Sequence, residues 1–188
     1  MSVLYHPTKI NMNELVTEKI NNFILDNDII IYWKKFPFVF SSNKIKNYRK
    51  ICITHSRSLL DKVVKINRLD VNIISKSFSY SHTFDETNIF LGISKTGKPI
   101  GVDAEPINRF ISDSLFSKFP LKYFSNKSDL LSFFQYSEAF YKCSGKIPIN
   151  KLNSEYKIKL TPSKEYNVFN SKIGKFQILT CTKTQNYN

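Results

Sequence analysis

Two carboxylates stand two residues apart in Gly101-Val102-Asp103-Ala104-Glu105, a run of small and apolar residues that predicts a β-strand. Side chains alternate faces along a strand, so Asp103 and Glu105 point the same way. Like charges held this close repel, and a hard cation relieves them: magnesium takes oxygen ligands and keeps waters that a phosphate can replace. A bare Asp-x-Glu is more often a solvated strand face, and a second acidic motif shifts that balance. Glu138 and Lys142 lie four apart on a predicted helix, on one face and in the order that favours an ion pair. Alone, such a pair is a surface salt bridge worth roughly a few tenths of a kcal/mol. Phe133, Phe134, Ala139 and Phe140 around it predict a largely buried helix, and a buried carboxylate needs a partner. Asp103, Glu105 and Glu138 therefore form one candidate metal site.

The elements that must position these residues follow from periodicity. Residues 12–25 space Leu15, Val16, Ile20, Phe23 and Ile24 as a helix does; Asp26-Asn27-Asp28 breaks the pattern before an apolar strand from Ile29. Residues 47–66 contain no Gly or Pro and predict a helix with basic residues, Arg57 among them, along one side. Residues 88–94 and 99–105, joined through Lys95-Thr96-Gly97-Lys98, read as a β-hairpin. Residues 129–144 predict the strongest helix, closed by Gly145. Residues 156–160 and 176–181 alternate as antiparallel strands do, and residues 184–188 are expected to fray. The expected class is α+β, with helices packed on antiparallel sheets.

The chain has 188 residues, 41% of them hydrophobic, which suits one substantial core or two small ones. The longest apolar run, Ile29 to Trp33, stops at Lys34 and Lys35, far short of a bilayer span. The first residues carry no signal-peptide pattern, so the expected address is the cytoplasm. Cys52, Cys143 and Cys181 are odd in number and widely spaced, and read as free thiols. The net charge of +13 favours an acidic or polyanionic partner, and it is concentrated: ten basic residues against Asp61 alone between Lys34 and Arg68.

Gly101-Val102-Asp103-Ala104-Glu105, followed by Phe134-Gln135-Tyr136-Ser137-Glu138-Ala139-Phe140-Tyr141-Lys142, resembles the GVDxE and WxxKEAxxK signatures of the 4'-phosphopantetheinyl transferase superfamily. Ser81-His82, ahead of the first motif, is similar to the SH motif that contacts the coenzyme A diphosphate in that family. Arg57, before Leu59-Leu60, resembles the arginine that binds the 3'-phosphate in the surfactin-synthetase-activating (Sfp) type, and Lys44 and Lys46 fall where that type has further phosphate-binding lysines. The likeness covers residues 44–142. Phe134 stands for the usual Trp, Ser137 replaces the lysine before the glutamate, and the GKP loop is reduced to Ser75-Lys76-Ser77, with Lys76 as its candidate cation.

The resemblance implies two similar α/β halves related by a pseudo-twofold axis, divided here as residues 1–98 and 99–188, with the active site between them. It implies Mg²⁺ on Asp103, Glu105 and Glu138, and coenzyme A held by Lys44, Lys46, Arg57, Lys76, Ser81, His82 and Lys142. Transfer of phosphopantetheine to a serine of an acidic acyl or peptidyl carrier protein would release 3',5'-ADP. Glu138, Lys142 and His82 would serve the chemistry. A monomer suffices, and neither nucleic acid nor membrane is expected as a partner. Two alternatives stay open: a nucleic-acid-binding protein, suggested by basic charge and 14% aromatic residues but lacking the motifs of such modules, and an inactive carrier-protein binder, suggested by Ser137 and the reduced loop.

Overall fold

The structure is a computed structural model that describes residues 20–35, 48–74, 77–83, 88–117, 124–146, 149–152, 155–158 and 165–184. In chain order the elements are β1 (Asn21–Ile24), β2 (Ile29–Lys35), α1 (Tyr48–Asn67), α2 (Val71–Ile74), β3 (Phe78–His82), β4 (Asn88–Ser94) and β5 (Ile100–Pro106). They continue with α3 (Asp113–Phe116), α4 (Lys127–Ser144), β6 (Ile149–Leu152), β7 (Glu155–Ile158), β8 (Tyr166–Ile173) and β9 (Phe176–Lys183). The class is α+β. One antiparallel sheet runs β1-β2-β4-β3, a second runs β5-β9-β8, and β6-β7 form a separate hairpin.

The two long helices match their apolar spacing. In α1, Cys52, Ser56, Leu59 and Val63 are buried at i, i+4, i+7 and i+11, one stripe of a 3.6-residue period, and the helix closes at Arg68 with φ 50°. Asn126 caps α4 by accepting from the Asp129 N–H at 2.9 Å; Gly145, at φ 70°, ends it by donating to the Tyr141 carbonyl.

Four layers stack in the order α1, first sheet, second sheet, α4. Leu59 and Val63 of α1 pack on Tyr32, Ile89, Leu91 and Ile93. On the sheet's other face, Ile29, Ile31 and Phe90 meet Ile100, Val102, Ala104 and Ile178. Beyond these, Leu179 and Cys181 pack on Ala139 and Cys143 of α4.

Two expectations are corrected. Residues 88–105 do not form a hairpin, for β4 lies between β2 and β3 while β5 pairs with β9. Both faces of β4 are apolar and buried from Ile89 onward, so after the turn the chain must cover that sheet, not extend it. Asp28 anchors the crossing by accepting from Ser94 Oγ at 2.9 Å, from the Thr96 N–H at 2.8 Å and from Thr96 Oγ at 2.9 Å. Residues 21–24 are a strand, not a helix end: tertiary pairing with β2 overrides a five-residue apolar spacing, and residues 12–19 of that expected helix lie outside the described ones. Strands β3, β6 and β8 and the short helices α2 and α3 have no counterpart among the expected elements.

Candidate active site

The site is built where β5 meets α4, and Gly101 sets their separation. A Cβ there would lie 1.8 Å from the Ala139 carbonyl oxygen and 2.7 Å from the Cys143 nitrogen, so only glycine lets the helix backbone lie on the strand. Residues 101, 103 and 105 share that face by alternation, and the approach presents Asp103 to Lys142.

Asp103 is 3% exposed. Its Oδ1 accepts from Ser81 Oγ at 3.0 Å and from Lys142 Nζ at 3.3 Å. Lys142 Nζ also donates to the Val102 carbonyl at 2.9 Å and pairs with Glu138 Oε1 at 3.0 Å. Burial pushes the Asp103 carboxyl up; the Lys142 ammonium opposes this, the Glu138 charge adds to it, and the balance is about 6.

Glu138 differs from expectation in its burial. The buried side of α4 carries Leu130, Leu131, Phe133, Gln135, Ala139 and Cys143, while the Glu138 side chain is 59% exposed at the rim. Burial of the helix thus gives no reason for a partner; the shared ammonium does. Glu105 is buried and forms an ion pair through Oε1 with Arg109 Nη1, a residue the sequence reading passed over. Its signal was only a cation four residues after an acid, and because those residues leave a strand for a turn, helical spacing did not apply.

Ser81 and His82 point to opposite faces of β3. Ser81, buried, donates to Asp103 and accepts from the Ala104 N–H at 3.2 Å, which spends its hydroxyl inside the fold. Ser79, two residues earlier, accepts from the Val102 N–H at 2.9 Å in the same way. These hydroxyls take the place of a strand along the edge of β5 away from β9. His82 faces α1, with Nε2 3.1 Å from Ser56 Oγ and a bond to the Cys52 carbonyl. Burial lowers its pKa, that carbonyl opposes the shift, and the Lys142 and His55 charges add to it; the balance is about 4, so the ring is neutral at pH 7.

Arg57 is exposed on α1, in the residue after Ser56, while Lys44, Lys46 and Lys76 lie outside the described residues. Ser137 Oγ is buried and has no hydrogen-bond partner among the described residues. Among those residues no three His, Cys, Asp or Glu side chains are gathered at metal-binding distances. The donor chemistry nonetheless fits a divalent cation. Asp103 and Glu138 already converge on one positive centre, the Lys142 ammonium, and hard carboxylate oxygens are what magnesium takes.

No protein-family model and no curated protein sequence matches the chain. No helix among the described residues is long and apolar enough to cross a membrane.

Proposed function

We propose that the protein transfers the 4'-phosphopantetheine arm of coenzyme A to a serine of an acidic acyl or peptidyl carrier protein, with Mg²⁺. The observation that carries this is the meeting of the two motifs: Asp103 and Glu138, 35 positions apart in sequence, share the Lys142 ammonium at the β5–α4 contact. Asp103, Glu138 and Glu105 would hold the ion, which supplies charge neutralisation to the diphosphate. The pseudo-twofold arrangement of residues 1–98 and 99–188 belongs to the same proposal.

In the reaction the carrier serine oxygen bonds to the phosphorus that bears the pantetheine, and the bond from that phosphorus to the oxygen of 3',5'-ADP breaks. Lys142, released from the carboxylates, meets the charge that grows on the leaving oxygen. Glu138 stands at the exposed rim, where an incoming serine can reach it, and takes the serine proton directly or through a water, a role worth about 10²- to 10⁴-fold in rate. Ser81 holds Asp103. His82, uncharged, ties β3 to α1, the helix that carries Arg57. The basic surface steers both the polyanionic cofactor and the acidic carrier.

The test is intact-mass measurement of an apo carrier protein after incubation with the chain, coenzyme A and Mg²⁺: a gain of about 340 Da, the mass of the transferred group, is expected. No gain across fatty-acid, polyketide and peptide carriers would remove the transferase assignment. Binding of a carrier without mass gain would favour the inactive binder, for which the ion pair that occupies Glu105 is the specific observation.

A further inference from the structure

We propose that Cys143 and Cys181 are a redox-sensitive pair: a peroxide closes a disulfide between them, which ties the last turn of α4 to β9. A buried cysteine is ordinarily a small apolar packing residue, and Cys52, which sits in the α1 core, is one. Cys143 and Cys181 differ because they meet.

Cys181 is the register partner of Gly101, and both lie on the face of the second sheet that meets α4. Because Gly101 has no side chain, with its Cβ position 2.7 Å from the Cys143 nitrogen, the turn that carries Cys143 settles over that gap and beside Cys181. The two side chains pack in one cluster with Ala139 and Leu179 and share a hydrogen bond. Cys143 Sγ also lies 3.3 Å from the Pro99 carbonyl, to which it donates as a thiol. Of the pair, Cys143 is 9% exposed and Cys181 is fully buried, so an oxidant reaches Cys143 first. The Cys181 hydrogen bond, opposed by burial and aided by the backbone N–H and charge of Lys183, holds the Cys143 thiol below its ordinary range; the same bond and burial push Cys181 up. Cys143 is therefore the attacking sulfur. It bonds to one peroxide oxygen as the O–O bond breaks, which leaves a sulfenic acid and one water. The Cys181 sulfur then displaces that oxygen: the S–S bond forms, the S–O bond breaks, and the Cys181 proton leaves with a second water. Two thiols are oxidised and one peroxide is reduced. Cys52 cannot compete, since both sheets stand between it and the pair.

The folded wild-type chain is treated with hydrogen peroxide, quenched, and its remaining thiols are counted by alkylation in denaturant. The count should fall from three to one, with Cys52 the thiol that remains, and the intact mass before alkylation should drop by about 2 Da. Peptide mapping without reduction should join the segments that hold Cys143 and Cys181. The oxidised chain should melt roughly 5–10 °C higher than the reduced one, and a reductant should reverse the shift. Cys181→Ser should stop at the sulfenic acid, seen as a dimedone adduct on Cys143, and Cys52→Ser should close the same bridge as wild type. A count that stays at three while the chain is folded would overturn the proposal. So would oxidation that falls first on Cys52, or a bridge that lowers the melting temperature, since the native contact between α4 and β9 would then not be the one being closed.

Discussion

Strand β5 presents two faces of opposite character. Ile100, Val102 and Ala104 enter an apolar layer against the first sheet, where each contributes by the area it removes from water. Gly101, Asp103 and Glu105 face α4, where a missing side chain and two charges do the shaping. Alternation thus separates stability from chemistry within seven residues. A substitution on the first face should lower stability and spare the site, and one on the second should disable the site, with an effect on stability that depends on pH. Gly101 is the exception, since the helix that completes the site rests on it.

The largest effect is expected there. Gly101→Ala forces Cβ into backbone, which cannot yield as a side chain can, and should cost about 3 kcal/mol or more of folding stability in urea titration, at or above the top of the range for overpacking. A midpoint near wild type would mean that β5 and α4 are not in close contact. On the opposite face, Val102→Ala leaves a cavity among Ile31, Phe90 and Ile178 and should cost about 1–3 kcal/mol, with the transfer rate per folded molecule unchanged.

Next in size is a pair of opposed pH effects in metal-free buffer. The folded Asp103 carboxyl titrates at about 6, above its unfolded value of 3.8, so its charge opposes folding at pH 7 and stability rises as pH falls from 6 toward 4. The folded His82 ring titrates at about 4, below its unfolded 6.5, so its contribution is present above 6.5 and lost as pH falls toward 4. The two slopes offset each other, each on the order of 2–3 kcal/mol. Relative to wild type, Asp103→Asn should lose stability on acidification over this window and His82→Gln should gain it, read from melting temperatures at each pH. Parallel curves for the three proteins would contradict the burial of both groups.

The finest division is between two serines. Ser79→Ala and Ser81→Ala each strand a buried N–H of β5 and should each cost about 1–2 kcal/mol. Only Ser81→Ala also frees Asp103, so it alone should weaken the binding of Mn²⁺ in the presence of coenzyme A. Equal losses of Mn²⁺ affinity in both variants would show a general loosening of the strand.

Much of this arrangement could be read from sequence because it is local. The apolar spacing of α1 and α4, the glycine that ends α4, and the shared face of Asp103 and Glu105 need only residues within a few turns of each other. The long-range facts did not show. That β5 pairs with β9 depends on residues about seventy to eighty positions later, and the turn through Gly97 looked sufficient for a hairpin. Gly101 reads as a flexible strand residue until the Ala139 carbonyl stands over it. Nothing local to Ser79 and Ser81 shows that both are buried and accept from backbone N–H groups along the open edge of β5. Glu138 was assigned to the site on an argument from burial that its exposure does not support, and the shared ammonium supplies the connection instead.

The central claim is that the α4-facing side of β5 is where transfer occurs, and one comparison tests it most directly. Wild type and Asp103→Asn, matched for melting temperature, are each incubated with coenzyme A, Mg²⁺ and apo carrier protein, and the modified carrier is counted by intact mass. The account predicts modification by wild type and none by the variant; equal modification by both would contradict it.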